Sequence, residues 1–425
     1  MPTLDARSAR RRYLALTALR WLPVGFLAPI FVLIPLSRGL SLTEIGFVFA
    51  AQGLVVLALE LPTGGLSDAL GRRPVLVIAS VVAIVSMTLF TIADSAAMFV
   101  AAMILQGVYR ALDSGPLEAW FVDATLAADP NAEIEHGLGR GTAVLSVAIA
   151  VGALASGGLV ALHPLPSADP LLLPLLVALG VHVLHLGGVA LLMTEAPRPR
   201  HPEAIAASVR AVPGIIREGL GLLRSSRVLL ALVLVEAFWG FSMPAFESLF
   251  PIRLSELVGG TDPAAAIMGP VGSAAWFASA GGAAGIVIAS RRIGVARSAA
   301  LLRILQGATI VAMGLIAGPV GVVVAYLACY TTHGASNPMH TTLLHRQVAG
   351  SYRTTVLSMN SMVGQPAGAL GTITLAALAD GTSVASAMIV GGIICALAAP
   401  LYLPAWRQEL ERRAAPDTDR EVVAA

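Results

Sequence analysis

Arg110 and Asp113 stand three residues apart in an apolar run that also carries Glu118 and closes on Asp123. At helical spacing the first two share a face, so they are expected to form a buried ion pair in which Arg110 tunes Asp113. The chemistry open to such a pair is uptake and release of a proton. A second set lies in later runs. Glu236 and Glu247 are eleven residues apart, which in a helix brings them within about 20° of one direction, and Trp239, Phe241 and Phe246 surround them. Tyr330, His333, Asn337 and His340 form a polar stripe on one helical face. Asn360 and Gln365 lie beside Pro366 in another run, and Glu60 lies in an early one.

Ionisable groups inside apolar runs are costly unless paired or wetted, so each is a functional candidate. Five acids, Glu60, Asp113, Glu118, Glu236 and Glu247, fall well inside such runs against three arginines, Arg20, Arg110 and Arg303, so some acids must be protonated or share a partner. Asp113 and Glu236 are the expected proton carriers, supported by Arg110, Glu118 and Glu60. Trp239, Phe246, Glu247, His333, Asn337 and Gln365 are the expected lining of a substrate cavity. Several of these have bland counterparts. Glu60 either joins the cavity or pairs with a loop arginine, His333 is either a packing histidine or a proton carrier, and Arg20 either meets substrate or reaches back to the membrane surface. Arg303 is expected to snorkel. His182 and His185 are expected to bond to neighbouring helices, and Cys329 and Cys395 to serve as apolar fillers.

The elements that must position these groups follow from composition. The chain has 425 residues, 56% hydrophobic and 12% charged, with a mean hydropathy of +0.81, which excludes an ordinary soluble globule. Twelve runs are long enough to cross a bilayer, at about 13–36, 42–64, 74–93, 97–121, 138–162 and 171–193, and at about 227–252, 265–290, 298–317, 319–342, 354–379 and 383–404. The expected organisation is therefore a six-helix bundle over 1–193, a linker over 194–226, a second six-helix bundle over 227–404 and a tail over 405–425. In the linker, Ile205, Val209, Val212, Ile216, Leu220 and Leu223 alternate with Arg210, Arg217 and Arg224, the pattern of an amphipathic helix at the membrane surface.

All 27 basic residues are arginine. Twenty-two lie in the two termini, in the even-numbered loops or, as Arg140 and Arg227, at the span edges beside those loops, and only Arg38 and Arg253 lie on the other side, so the positive-inside rule predicts both termini in the cytoplasm. Arg10, Arg11 and Arg12 precede an apolar run, but Arg20 interrupts it and no small-residue cleavage site follows. A first span is expected there, not a signal peptide.

Between the second and third runs the sequence reads Glu60-Leu-Pro-Thr-Gly64-Gly-Leu-Ser-Asp68-Ala-Leu-Gly71-Arg72-Arg73-Pro74. Asp68 falls near the N-terminus of the third span, whose partial positive charge favours a carboxylate. Arg72 can fold back onto it across the turn that Gly71 permits, and Pro74 suits a first helical turn. The run resembles the signature loop G-x-L-a-D-r-x-G-R-R of the major facilitator superfamily: Gly64, Leu66, Asp68, Gly71, Arg72 and Arg73 fit, while Ala69 replaces the motif's first basic residue. The resemblance implies an all-α polytopic membrane protein with twelve transmembrane helices in two pseudo-symmetric six-helix bundles. It also implies a gating clamp on the cytoplasmic side, built from Gly64, Asp68, Gly71, Arg72 and Arg73 with Asp123 as acidic partner; the alternative is that these residues only fix topology. In the second half, Ser290 to Arg297 repeats the loop in weakened form, with Arg291 at the aspartate position. Glu60-x-Pro-Thr-Gly64 taken with the run Asp113 to Asp123 is similar to a subgroup of bacterial facilitators. This chain departs from the common pattern at Met103, where an arginine would precede Gln106-Gly107 by three.

The expected function is a proton-coupled secondary transporter that exports a small, partly apolar compound by alternating access; proton-coupled uptake of a metabolite is the alternative. Gly152, Gly157 and Gly158 in the fifth span keep the glycines of an exporter motif but lack its proline. A polytopic membrane enzyme, with Asp113, Glu118 and His333 in acid–base work, and a non-transporting sensor rank lower. Without lysine there is no phosphate-binding P-loop, and no zinc-protease helix or serine elbow is present. No cofactor and no metal are expected. The expected partners are a small-molecule substrate, protons and the lipid bilayer, with no nucleic acid, for a monomer in the cytoplasmic membrane.

Overall fold

The computed structural model describes residues 4–64, 66, 70–195, 202–348 and 353–414. Asp68 lies outside the described residues, as do the side chain of Glu60 and the surroundings of Gly64. Among the described residues all regular structure is helical. In a bilayer this is the economical solution, because a helix satisfies its backbone polar groups within its own segment.

The helices run α1 (Ala6–Leu27), α2 (Leu33–Ser37), α3 (Leu42–Gly64), α4 (Arg72–Ile92), α5 (Ala96–Asp113), α6 (Pro116–Ala128), α7 (Ile134–Leu162) and α8 (Leu172–Leu192). After α9 (Pro202–Ser225) come α10 (Arg227–Glu247), α11 (Leu249–Val258), α12 (Thr261–Ile293), α13 (Val295–Leu315), α14 (Pro319–His345), α15 (Arg353–Gly381), α16 (Val384–Leu397) and α17 (Leu403–Ala414). A 3-10 turn over Ala399–Tyr402 leads into α17. Among the described residues, ten helical segments are long and apolar enough to cross a membrane. The other two expected spans are α1, diluted by five arginines, and α14, diluted by its polar stripe.

Side chains set several helix starts. Asp5 caps α1 by accepting from the Ser8 amide at 2.6 Å, and that bond holds the Asp5 carboxyl below its usual range. Ser226 and Ser383 cap α10 and α16 in the same way. The expected fourth span is not one continuous helix. It breaks after Asp113, where Gly115 takes a φ of 93° and Pro116 starts α6. The Ser114-Gly115-Pro116 run accounts for the break: glycine tolerates the left-handed backbone, and proline is suited to N1.

Contacts divide the chain into two units, Met1–Val212 with Pro251–Ala274, and Pro213–Phe250 with Ala275–Ala425. Small residues bring helices together in each, as expected where apolar lipid provides no hydrophobic drive between helices. In the first unit, a Cβ on Gly25 of α1 would sit 2.9 Å from the Cα of Gly152 in α7, and one on Gly157 would sit 2.7 Å from the Cα of Gly269 in α12. In the second, Gly240 of α10 lies against Gly364 of α15. Tyr13 stacks on Phe121 with centroids 4.5 Å apart, and Leu16, Leu76, Trp120 and Val189 complete the core around them. That packing fixes α6 against α1, one turn from Arg20.

Candidate functional site

The first unit gathers charge at the break between α5 and α6. Arg20 Nε donates to Asp113 Oδ2 at 2.5 Å, its Nη1 to Glu118 Oε1 at 3.0 Å, and its Nη2 to the Asp113 carbonyl at 2.9 Å. One guanidinium therefore holds two carboxylates and an orphan carbonyl at the end of α5. Asp113 is 5% exposed, and its Oδ1 and Glu118 Oε2 are enclosed without a hydrogen-bond partner among the described residues. Arg110 is not in this cluster. The expected Arg110–Asp113 pair is corrected by the geometry: Arg110 is exposed, and Asp113, as the last residue of α5, meets α1. Nearby, His182 packs edge-on to Tyr109, and the His185 ring lies 3.3 Å from Ser80 Oγ.

At the arginine-rich end of the same unit, Arg72 pairs with Asp123 at 2.5 Å and donates to the Ala119 carbonyl, while Arg73 donates to the Ala190 carbonyl at 2.6 Å. Gly71 has a φ of 92° and precedes α4. The carboxylate described at the start of α4 is Glu195, which accepts from the Arg72 and Arg73 amides at 3.2 and 3.0 Å. The second unit repeats this cap. Gly294 has a φ of 90°, and Glu409 accepts from the Val295 and Ala296 amides at 3.2 and 3.0 Å. Each carboxylate satisfies two orphan donors and meets the positive helix end.

The second unit also collects the other predicted acids. Glu236 lies 3.8 Å from His340 Nε2, and the His340 ring also meets the Tyr402 hydroxyl at 2.9 Å and Asn360 Oδ1 at 3.3 Å. Arg303 does not snorkel. It is 2% exposed, donates to Gln306 at 2.8 Å and lies 5.8 Å from the centre of the Trp239 ring. Tyr330 donates to Glu247 Oε1 at 2.6 Å, and His333 packs against Phe246, Tyr330 and Trp239, the last pair at 5.7 Å and nearly parallel. The stripe thus brings Glu247, Phe246, His333 and Trp239 into one cluster. Asn337 is exposed and Gln365 half-buried. Trp239 Nε1 and His333 Nδ1 are enclosed without hydrogen-bond partners among the described residues. No group of three His, Cys, Asp or Glu side chains among the described residues is arranged to hold a metal ion.

Residues 13–372 match the family model of the Major Facilitator Superfamily. The chain belongs to this superfamily. Among curated proteins it is similar to the uncharacterized MFS-type transporter YxaM of Bacillus subtilis (strain 168), 28% identical over 151 residues, which is 36% of this chain and 37% of that protein. Among solved structures it is similar to the nucleoside transporter NupG, with a TM-score of 0.75 and 11% identity over 94% of this chain and 99% of that one. It is also similar to a bacterial homologue of the lysosomal transporter Spinster, with a TM-score of 0.75 and 14% identity over 96% of this chain and 98% of that one. At such identities the likeness speaks for the fold. The protein is an all-α, multi-pass membrane protein with the twelve-helix, two-bundle superfamily fold.

Within a superfamily chain of this fold, three participants escaped spacing rules. Arg20 is 93 residues from Asp113, and no local periodicity pairs them. Glu195 and Glu409 are the first acids after the sixth and twelfth spans; aligning the two halves on Gly71 and Gly294 would have marked both.

Proposed function

We propose that this superfamily member is a secondary active transporter, coupled to protons, that exports a small, partly apolar compound from the cytoplasm. The observation that carries this reading is Arg20 shared between Asp113 and Glu118 at a break in a spanning helix. Two carboxylates against one guanidinium leave an uneven charge in a medium that penalises it, and gain or loss of one proton resolves it. Broken spanning helices in transporters mark substrate and coupling sites.

Asp113 is the first proton carrier, and Glu236, set against His340, is the second. The Trp239, Phe246, Tyr330 and His333 rings, with few polar groups, favour a compound with substantial apolar surface. The arginine distribution supports cytoplasmic termini and, with them, a cytoplasmic position for the Arg72–Asp123 pair and its Gly71 turn, where a gating clamp would act. Asp68, the motif's own acid, is assigned to that clamp on the resemblance alone.

The test is purified protein in proteoliposomes with a pH reporter in the lumen and a panel of candidate compounds. Proton movement tied to one compound class and opposite to its flux is expected. Compound flux without any pH change overturns the coupling, and proton movement in the same direction as the compound makes the protein an importer.

A further inference from the structure

Of the intramembrane acids whose side chains are described, Asp113 and Glu118 share Arg20, and Glu236 has His340 within 3.8 Å. Glu247 differs. It is exposed, and among the described residues no arginine or histidine lies within ion-pair distance of it. Its described partner is the Tyr330 hydroxyl at 2.6 Å, a neutral donor. Tyr330 is one ring of a continuous aromatic wall: Tyr326 lies 4.8 Å from it, Phe246 5.9 Å and His333 6.1 Å, and His333 runs on to Trp239. Trp239 and His333 are the half-buried members, so the far end of the wall retains accessible surface.

Glu247 falls inside the candidate spanning segment Arg227–Val258, and a carboxylate in such a segment is favoured by a counter-charge. Aromatic faces carry negative potential and favour a cation over a neutral or anionic group.

We propose that Glu247 and this wall form the recognition site for a lipophilic organic cation, a protonated or quaternary amine or its phosphonium equivalent. The cationic centre sits against Glu247, and the apolar body lies along Tyr330, His333 and Trp239. The Tyr330 hydroxyl orients the carboxylate by occupying one oxygen and leaving the other for the ligand. The assignment deepens the transporter reading and rests on it, since it names the substrate class of the site in the second unit.

The experiment is equilibrium binding to the purified full-length protein in detergent, with no gradient. The probes are radiolabelled tetraphenylphosphonium, a permanent cation, and neutral triphenylphosphine oxide. Wild type is expected to bind the cation at least tenfold more tightly than the neutral compound, E247Q to erase that preference while still binding triphenylphosphine oxide, and E247D to keep part of it. Equal binding of the two probes by wild type, a preference that survives in E247Q, or no binding of the cation overturns the assignment. The wild-type comparison stands even where E247Q fails to fold. Because no flux is measured, failure here is separable from failure of transport: compound-driven proton movement in liposomes with no cation preference leaves the transporter reading intact and removes only this site.

Discussion

The two units solve the problem of intramembrane charge differently. In the first, Arg20 gathers Asp113 and Glu118 at a helix break, so acids and base form one compact cluster. In the second, the acids lie apart: Glu236 faces His340 with Arg303 in electrostatic reach, and Glu247 meets the Tyr330 hydroxyl. The contrast is sharper because the peripheral architecture matches. Gly71 with Glu195 and Gly294 with Glu409 start α4 and α13 by the same geometry. The same cap geometry thus recurs at the two helix starts, while the interior charges of the two units are arranged differently.

The largest expected effect breaks the compact cluster. Arg20→Met leaves two carboxylates without their guanidinium, and removal of one partner from a buried pair costs about 3–5 kcal/mol. Thermal unfolding of the purified protein measures it, and adding Asp113→Asn to Arg20→Met is expected to recover part of the loss. A loss below about 1 kcal/mol, on the surface-pair scale, would mean that Arg20 and Asp113 are not a pair. The next effect tests the matched caps. Gly71→Ala and Gly294→Ala each force a side chain into a positive-φ, extended backbone that is nearly confined to glycine, at about 1–3 kcal/mol, and the two losses should agree. Glu195→Ala and Glu409→Ala are expected to cost about 1 kcal/mol each, on the scale of a lost helix cap, again equally. A large inequality would show that one cap also serves a gate.

The smallest effect lies at the N-terminus. The folded-state pKa of Asp5 is lowered by the Ser8 amide, so its contribution is present above the unfolded pKa of about 3.9 and is lost as pH falls through the folded value. Protection of the Ser8 amide against hydrogen exchange, taken relative to its intrinsic rate, should fall as the pH drops below the ordinary aspartate pKa of about 3.9, and Asp5→Ala should remove that dependence.

Much of this was legible in the sequence, because hydrocarbon thickness and helical rise dictate span length and because the Gly71-Arg72-Arg73 loop has few alternatives. Even there, α1 and α14 fall short of a strict apolar test, because α1 carries five arginines and α14 its polar stripe. The site was legible in part. Helical periodicity puts Glu236, Glu247 and His333 forward as candidates because it reports which residues share a face. Periodicity says nothing of partners on other helices, and this is why Asp113 was matched to Arg110 and not to Arg20. The break at Ser114-Gly115-Pro116 was readable and removes the premise of that match. Arg303 shows the opposite error: nearness to a span end suggests snorkelling, but packing against Trp239 and Gln306 encloses it.

The most direct test of the account compares wild type, Asp113→Asn and Glu236→Gln in proteoliposomes of matched protein content, following lumenal pH as a transported compound is added. Asp113→Asn is expected to abolish the compound-driven pH change, and Glu236→Gln to weaken it, with both variants folded by elution profile and thermal unfolding. If both variants move protons and compound as wild type does, across the same pH range, proton coupling through these acids is contradicted.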